Sequence, residues 1–257
     1  MTINRGDPRT PAEQIADDLR DAINAGELAA DSQLPSEREL ADRYSVSTKT
    51  AASAMQRLKD EGLVVSRAGA GRFVRRAVPL IRLGSDRYSH KYRESGLSPF
   101  LLECAKQGKT GRFDVLGIDH MVPPEDVAQR LALSTEESSV LRRENVFYAD
   151  ADPVHRVTTW IPWTIADGTG LLEEDIPHQY GIHGVLEDQG HVMTRFVEEV
   201  SARMPNPDER KHLQLESGVS VLDVLHTSLD QNGQPYELTR FVMRADMTGL
   251  RYDSPVE

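Results

Sequence analysis

Apolar side chains recur along this chain with two different periods. Before residue 60 they fall three and four apart. Beyond about residue 115 they mostly alternate. Ile15, Leu19, Ala22 and Ile23 stand at i, i+4, i+7 and i+8, which predicts a core-facing helical stripe. Thr10-Pro11 can open that helix, and Gly26 supplies its stop. Ser36 and Glu39 form an S-x-x-E capping box at the head of a short second helix carrying Leu40 and Ala41. After the turn Tyr44-Ser45-Val46, Ser47 is a candidate N-cap for a third helix running to about Asp60. Ala51, Ala54, Met55 and Leu58 make its inner stripe, leaving Thr48, Lys49, Ala52, Ser53 and Gln56 on or near the outer face. Gly62 ends it, and Leu63–Val65 and Arg72–Val74 read as strands around the turn 68–71.

Residues 77–100 read as a polar, turn-rich join. Alternation then predicts strands at 115–118, 140–149, 154–161, 194–204, 219–228 and 236–244, with hairpin turns at 150–153 and 230–233. Short helices are expected at 123–131, 184–190 and 207–215. Strands with a few interposed helices imply an α+β antiparallel sheet.

Charge alters this picture by its distribution. The 257 residues sum to −11, which alone argues against a nucleic-acid partner. Residues 1–76 are neutral, and 77–257 carry the whole −11. Within 43–76 stand 8 basic and two acidic residues, a local +6. Such asymmetry points to a basic reading surface joined to an acidic domain with another task. No apolar run approaches the roughly 18 residues that cross a membrane. The N-terminus lacks the apolar core of a secretion signal, so the cytoplasm is the expected compartment. One cysteine, Cys104, excludes an internal disulfide framework.

The first part resembles the winged helix-turn-helix domain of the GntR family of bacterial regulators. The resemblance is carried by Leu34-Pro35-Ser36-Glu37-Arg38-Glu39-Leu40-Ala41, Val46-Ser47, Glu61-Gly62-Leu63-Val64 and Gly69-Ala70-Gly71-Arg72-Phe73-Val74. It implies that Arg38 holds phosphate or base edges, that Ser47, Thr48, Lys49 and Thr50 meet the major groove, and that Gly69 enters the minor groove. Ser53 lies on the same outer face, and Arg43, Arg67 and Arg72 are candidate phosphate contacts. Many relatives carry Arg where this chain has Thr48 and Ala52, leaving Lys49 as the alternative reader of a base.

The remainder, from about 115 to 253, resembles the UTRA effector-binding domain of the HutC-like branch. "YADADPVHRVTTWIP", "SARMPNPDERKHLQLESGVSVLDVLHTSLDQNGQPYEL" and "MRADMTGLRYD" carry that likeness. It implies a chorismate-lyase-like sheet, a small-molecule effector, a homodimer and double-stranded operator DNA. The expected division is 1–76 for DNA binding, 77–100 as linker, and 101–257 for effector binding and dimerisation. Strand alternation places Asn145 with Phe147 and Val157 with Thr159 on pocket-facing sides, and Glu237 with Thr239 on the last hairpin. In sugar-phosphate-sensing relatives the positions of Asn145 and Phe147 are often Arg, and that of Val157 is often Glu. Without those charges a less anionic, more apolar effector is expected. A phosphorylated ligand would need Arg142, Arg143 or Arg240 as a substitute donor.

Several motifs fail. Gly108-Lys109-Thr110 lacks the glycine that a phosphate-binding loop needs, residue 103 being Glu. His178, His183 and His191 match no zinc spacing, so no metal or cofactor is expected, and His155 and His226 read as structural. An enzyme of the chorismate-lyase type carrying a DNA-binding appendage is the alternative. It is disfavoured because Asn145, Phe147, Val157 and Thr159 offer no acid–base pair.

Overall fold

The computed structural model describes residues 3–4, 6–67, 69–75, 79–84, 87–88, 95–134, 139–176, 180–216 and 218–253; the Arg67 side chain lies outside what is described. Two compact units emerge, Met1–Val78 with Glu216–Val219, and Pro79–Leu215 with Ser220–Glu257.

The first unit contains α1 (Pro11–Asn24), α2 (Glu37–Tyr44), α3 (Thr48–Asp60) and the hairpin β1 (Val64–Arg67) with β2 (Gly71–Val74). Reciprocal capping boxes begin two helices. Thr10 and Glu13 cap α1, and Ser36 and Glu39 cap α2, so orphan N–H groups are met by neighbouring side chains. Ser45 closes α2 in the left-handed region at φ 53°. One core of Ile15, Leu19, Leu40, Tyr44, Ala51, Met55, Leu58, Val64 and Val74 joins the three helices to the hairpin, with Val46 partly buried against it.

The second unit comprises β3 (Leu80–Leu83), α4 (Pro99–Lys106), β4 (Gly111–Met121), α5 (Glu125–Arg130), β5 (Val140–Ala149), β6 (Asp152–Pro162), α6 (Trp163–Ala166), α7 (Ile182–Asp188), β7 (Arg195–Arg203), α8 (Pro207–His212), β8 (Val221–Leu229), β9 (Pro235–Arg244) and β10 (Thr248–Arg251). Six strands form an antiparallel sheet ordered β4-β5-β6-β9-β8-β7. This is the expected α+β class. Two differences concern the stretch read as a join. Leu80–Leu83 is a strand paired in parallel with β10, and α4 begins at Pro99. A four-residue strand that buries Leu80 together with Arg82 lacks polar–apolar alternation, which hides it from pattern reading.

Sheet register places the cavity described below. Arg143, Thr159 and Thr239 form one row across β5, β6 and β9, and Asn145, Val157 and Phe241 form the next. Side chains two apart on a strand share a face, so these rows present one surface.

Candidate functional sites

On the first unit, Ser47 caps α3. Its hydroxyl accepts from the Thr50 backbone N–H at 3.1 Å and lies 2.8 Å from the Thr50 hydroxyl. Those two side chains therefore hold the helix entrance. Thr48, Lys49 and Ser53 are exposed, with Ser53 one turn beyond Lys49. Arg38 and Arg43 are exposed on α2, and among the described residues neither they nor Lys49 form an ion pair. Arg72 differs: it pairs with Glu37 at 2.7 Å, tying the hairpin to the start of α2. Gly69 takes φ +72° at the hairpin tip, a left-handed conformation that strains residues with a Cβ. Three further arginines of this unit are committed to ion pairs: Arg9 to Asp7 and Asp17, Arg20 to Asp17 and Glu61, and Arg57 to Glu13.

On the second unit, all seven residues expected to face a ligand line one cavity: Arg143, Asn145, Phe147, Val157, Thr159, Glu237 and Thr239. The cavity is open to solvent at its mouth. Of the three substitute donors, only Arg143 is there. Arg142 is turned to Asp119 and Glu144, and Arg240 to Asp223. The sequence reading missed Arg87, Tyr88, Phe100, Tyr180, His183 and Phe241, which complete the walls.

Glu237 is 3% exposed, so it makes no surface ion pair. Ser228 Oγ donates to its Oε2 at 2.6 Å, and Thr239 Oγ1 donates to its Oε1 at 2.6 Å. Thr159 Oγ1 lies 2.8 Å from Thr239 Oγ1. The chain continues away from the cavity, with His226 Nε2 3.2 Å from Ser228 Oγ and Nδ1 2.9 Å from Glu198 Oε1. Arg82 Nη1 donates to Glu198 Oε2 at 3.0 Å, and the Tyr252 hydroxyl donates to the same oxygen at 2.7 Å. Burial opposes ionisation of Glu198, but hydrogen bonds from His226 and Arg82 hold its carboxyl well below the ordinary Glu range. Burial also opposes ionisation of Glu237; His183, His226 and the two hydroxyls together outweigh it and lower the carboxyl. Burial lowers His183, which favours the neutral ring.

Arg143 is 1% exposed. Its Nη1 donates to the carbonyls of Leu171 at 2.5 Å and Glu173 at 2.6 Å, and Nη2 to that of Glu174 at 3.1 Å. Among the described residues Nε has no hydrogen-bond partner, and neither do Asn145 Oδ1, Arg87 Nε or His183 Nδ1, the last lying 3.9 Å from Glu237 Oε2. Four unmet polar atoms around one cavity are unusual, since buried polar groups are normally hydrogen-bonded.

A helix-turn-helix with a two-stranded wing in one unit, and a sheet that walls a cavity in the other, define a DNA-binding regulator with a ligand-binding domain. The family description "UTRA domain" matches residues 106–248, and "Bacterial regulatory proteins, gntR family" matches 11–74. The chain belongs to the GntR family of transcriptional regulators and carries a UTRA effector-binding domain. It is similar to an HTH-type regulator of Streptomyces coelicolor, 28% identical and covering 97% of this chain and 94% of that protein. It is also similar to the transcriptional repressor NagR of Bacillus subtilis, 27% identical over 96% and 95%. A solved GntR-family regulator superposes with TM-score 0.62 at 27% identity, covering 97% of this chain and 99% of that one. PhnF from Mycobacterium smegmatis shares the fold, at TM-score 0.60 and 20% identity over 95% and 100%. The Streptomyces, Bacillus and first structural relatives are all named as transcriptional regulators or repressors.

Proposed function

We propose that the protein is a repressor, bound as a homodimer to a two-fold-related operator and released when a small molecule fills the cavity. The observation that carries this reading is a cavity with four unmet buried polar atoms in a chain that also bears a winged helix-turn-helix. Residues 1–76 do the DNA binding, 77–100 link, and 101–257 bind effector and partner. Thr48, Lys49 and Ser53 read base edges, with Ser47 and Thr50 shaping the entry of α3 into the major groove, which is about 12 Å wide. Arg38, Arg43, Arg67 and Arg72 contact phosphate, and Gly69 lets the wing tip approach the minor groove. Arg143, Asn145, Phe147, Val157, Thr159, Glu237 and Thr239 contact the effector. Repression is favoured by the similarity to NagR, whose name describes it as a repressor. A two-fold dimer sets half-sites about one helical turn apart, or a multiple of that.

The effector acts by binding one arrangement of the chain better than another. A coupling of about 1–3 kcal/mol changes operator affinity roughly 5–150-fold. The cytoplasm is the proposed compartment. Among the described residues no helix is long and apolar enough to cross a membrane. The test is a pair of anisotropy titrations of operator DNA with the full-length chain, with and without a cavity ligand. Repression predicts weaker binding with ligand, and unchanged or tighter binding contradicts it.

A further inference from the structure

The cavity walls restrict the chemistry of what can fill them. This inference rests on the reading of the cavity as the effector site. Its charged groups can be paired off one by one. Arg87 is bound to Glu103, and Arg82 to Glu198. Ser228 gives its single proton to Glu237, so it accepts from His226 Nε2. His226 Nδ1 lies 2.9 Å from Glu198 Oε1, so the ring sits between the Ser228 hydroxyl and the Glu198 carboxylate. Among the described lining residues two charges remain: Glu237, which accepts from the Ser228 and Thr239 hydroxyls, and Arg143. Arg143 has only backbone carbonyls as partners among the described residues. Burial lowers its pKa more than the opposing charge of Glu174 raises it, the mark of a guanidinium without an adequate counterion.

The rest of the wall is apolar and largely aromatic. Phe100, Phe113, Phe147, Val157 and Phe241 supply most of it, with Tyr88 and Tyr180 adding rings. Phe147 packs against Phe100 and Phe113 at centroid distances of 4.7 and 5.8 Å. Both contacts are tilted, at 46° and 44° between ring planes, and together the rings give the wall a broad apolar surface. Among the described lining residues the unmet side-chain nitrogens are Arg87 Nε, Arg143 Nε and His183 Nδ1, and only the two arginine groups are N–H donors in every protonation state. A dianionic phosphate would bring more charge than Arg143 balances and more acceptors than two N–H groups serve, in a cavity that also presents the Glu237 carboxylate. A single carboxylate matches the charge of Arg143. Asn145 Oδ1, two residues along the same strand face, remains for a donor on the ligand or a bound water.

We propose that the cavity takes a small, predominantly apolar monocarboxylate, with its carboxylate on Arg143 and its body against Phe147, Val157 and Phe241. The test uses the full-length protein and calorimetry with benzoate, phenylacetate and 3-phenylpropionate. Phenylacetamide serves as the uncharged counterpart, and glucosamine 6-phosphate as the phosphorylated competitor. At least one carboxylate should bind about tenfold or more tightly than the amide and the sugar phosphate, the loss expected when a charged hydrogen bond goes unmade.

Arg143→Gln should abolish that preference, but this side chain also holds the 171–174 carbonyls and its loss can unfold the unit. Asn145→Asp is the second variant. It is isosteric, places a carboxylate two residues from Arg143 on the same face, and should displace the ligand carboxylate, weakening binding about tenfold or more. The proposal is overturned if no carboxylate binds, if amide or sugar phosphate binds as tightly, or if Asn145→Asp changes nothing. Parallel operator titrations separate the two claims. A sugar phosphate that binds and releases DNA leaves the effector site standing and removes the carboxylate. A carboxylate that binds in the cavity without touching operator affinity supports its chemistry and removes induction.

Discussion

Glu198 and Glu199 are neighbours on β7 with opposite surroundings, so one substitution made at each isolates the effect of burial. Glu198 meets Arg82 with side chains 4% and 0% exposed, and it also accepts from His226 and Tyr252. Glu199 meets Arg130 with side chains 54% and 30% exposed. Replacing Glu198 by Gln strands a buried guanidinium, which costs about 3–5 kcal/mol. The same change at Glu199 removes a solvated pair worth about 0–1 kcal/mol. For a unit of this size, each kcal/mol moves Tm by about 2–4 °C. Glu198→Gln should therefore lower Tm by about 6–20 °C, and Glu199→Gln by no more than about 4 °C.

Both tryptophans, Trp160 and Trp163, lie in the second unit, so their fluorescence follows its melting without interference from the DNA-binding unit. The pH dependence gives a second check. Because the folded Glu198 carboxyl is held below its ordinary value of 4.5, its stabilisation is complete above that value and is lost as pH falls through the depressed one. The stability gap between the parent and Glu198→Gln should be level near neutrality and close progressively in acid. Equal Tm losses at the two positions, or a gap that widens in acid, would refute the assignment of Glu198 as an ionised, buried hub.

Other outcomes follow from the same structure. Arg38→Ala should weaken binding to specific and random duplexes alike and reduce the salt slope by about one unit, whereas Lys49→Ala should relax preference at one base pair; anisotropy across salt concentrations distinguishes them. Cys104 is buried, and burial pushes its thiol up to about 12, so thiol reagents near pH 8 should label it only after unfolding. Ser36→Ala removes half of a capping box and should cost the DNA-binding unit about 1 kcal/mol, read from circular dichroism melts of the full chain.

Much of this molecule is legible from local pattern. The box at Ser36 and Glu39, the cap at Ser47 and the inner stripe Ala51-Ala54-Met55-Leu58 are all set by residues within one or two helical turns of each other. Strand alternation carries further, because Arg143-Asn145-Phe147, Val157-Thr159 and Glu237-Thr239 need only a period of two to share a face. Pattern stops where partners are distant. Arg82 and Glu198 are 116 positions apart, and nothing near either announces the pair. Arg87 and Tyr88 sit in a stretch that reads as a polar join, yet their side chains complete the cavity. His183 fails every zinc spacing and enters the wall because α7 packs over the sheet, a tertiary fact. For Glu237, alternation gives only a place on the last hairpin; its burial beside Ser228 and Thr239 is set by tertiary packing.

Coupling between cavity and operator is the claim on which the functional account turns. The most direct measurement is the dissociation constant of the full-length protein for operator DNA, at fixed salt, with and without a compound that calorimetry shows to occupy the cavity. The account predicts that occupancy weakens the complex about 5–150-fold. An operator affinity that stays the same while the cavity is demonstrably full would contradict it.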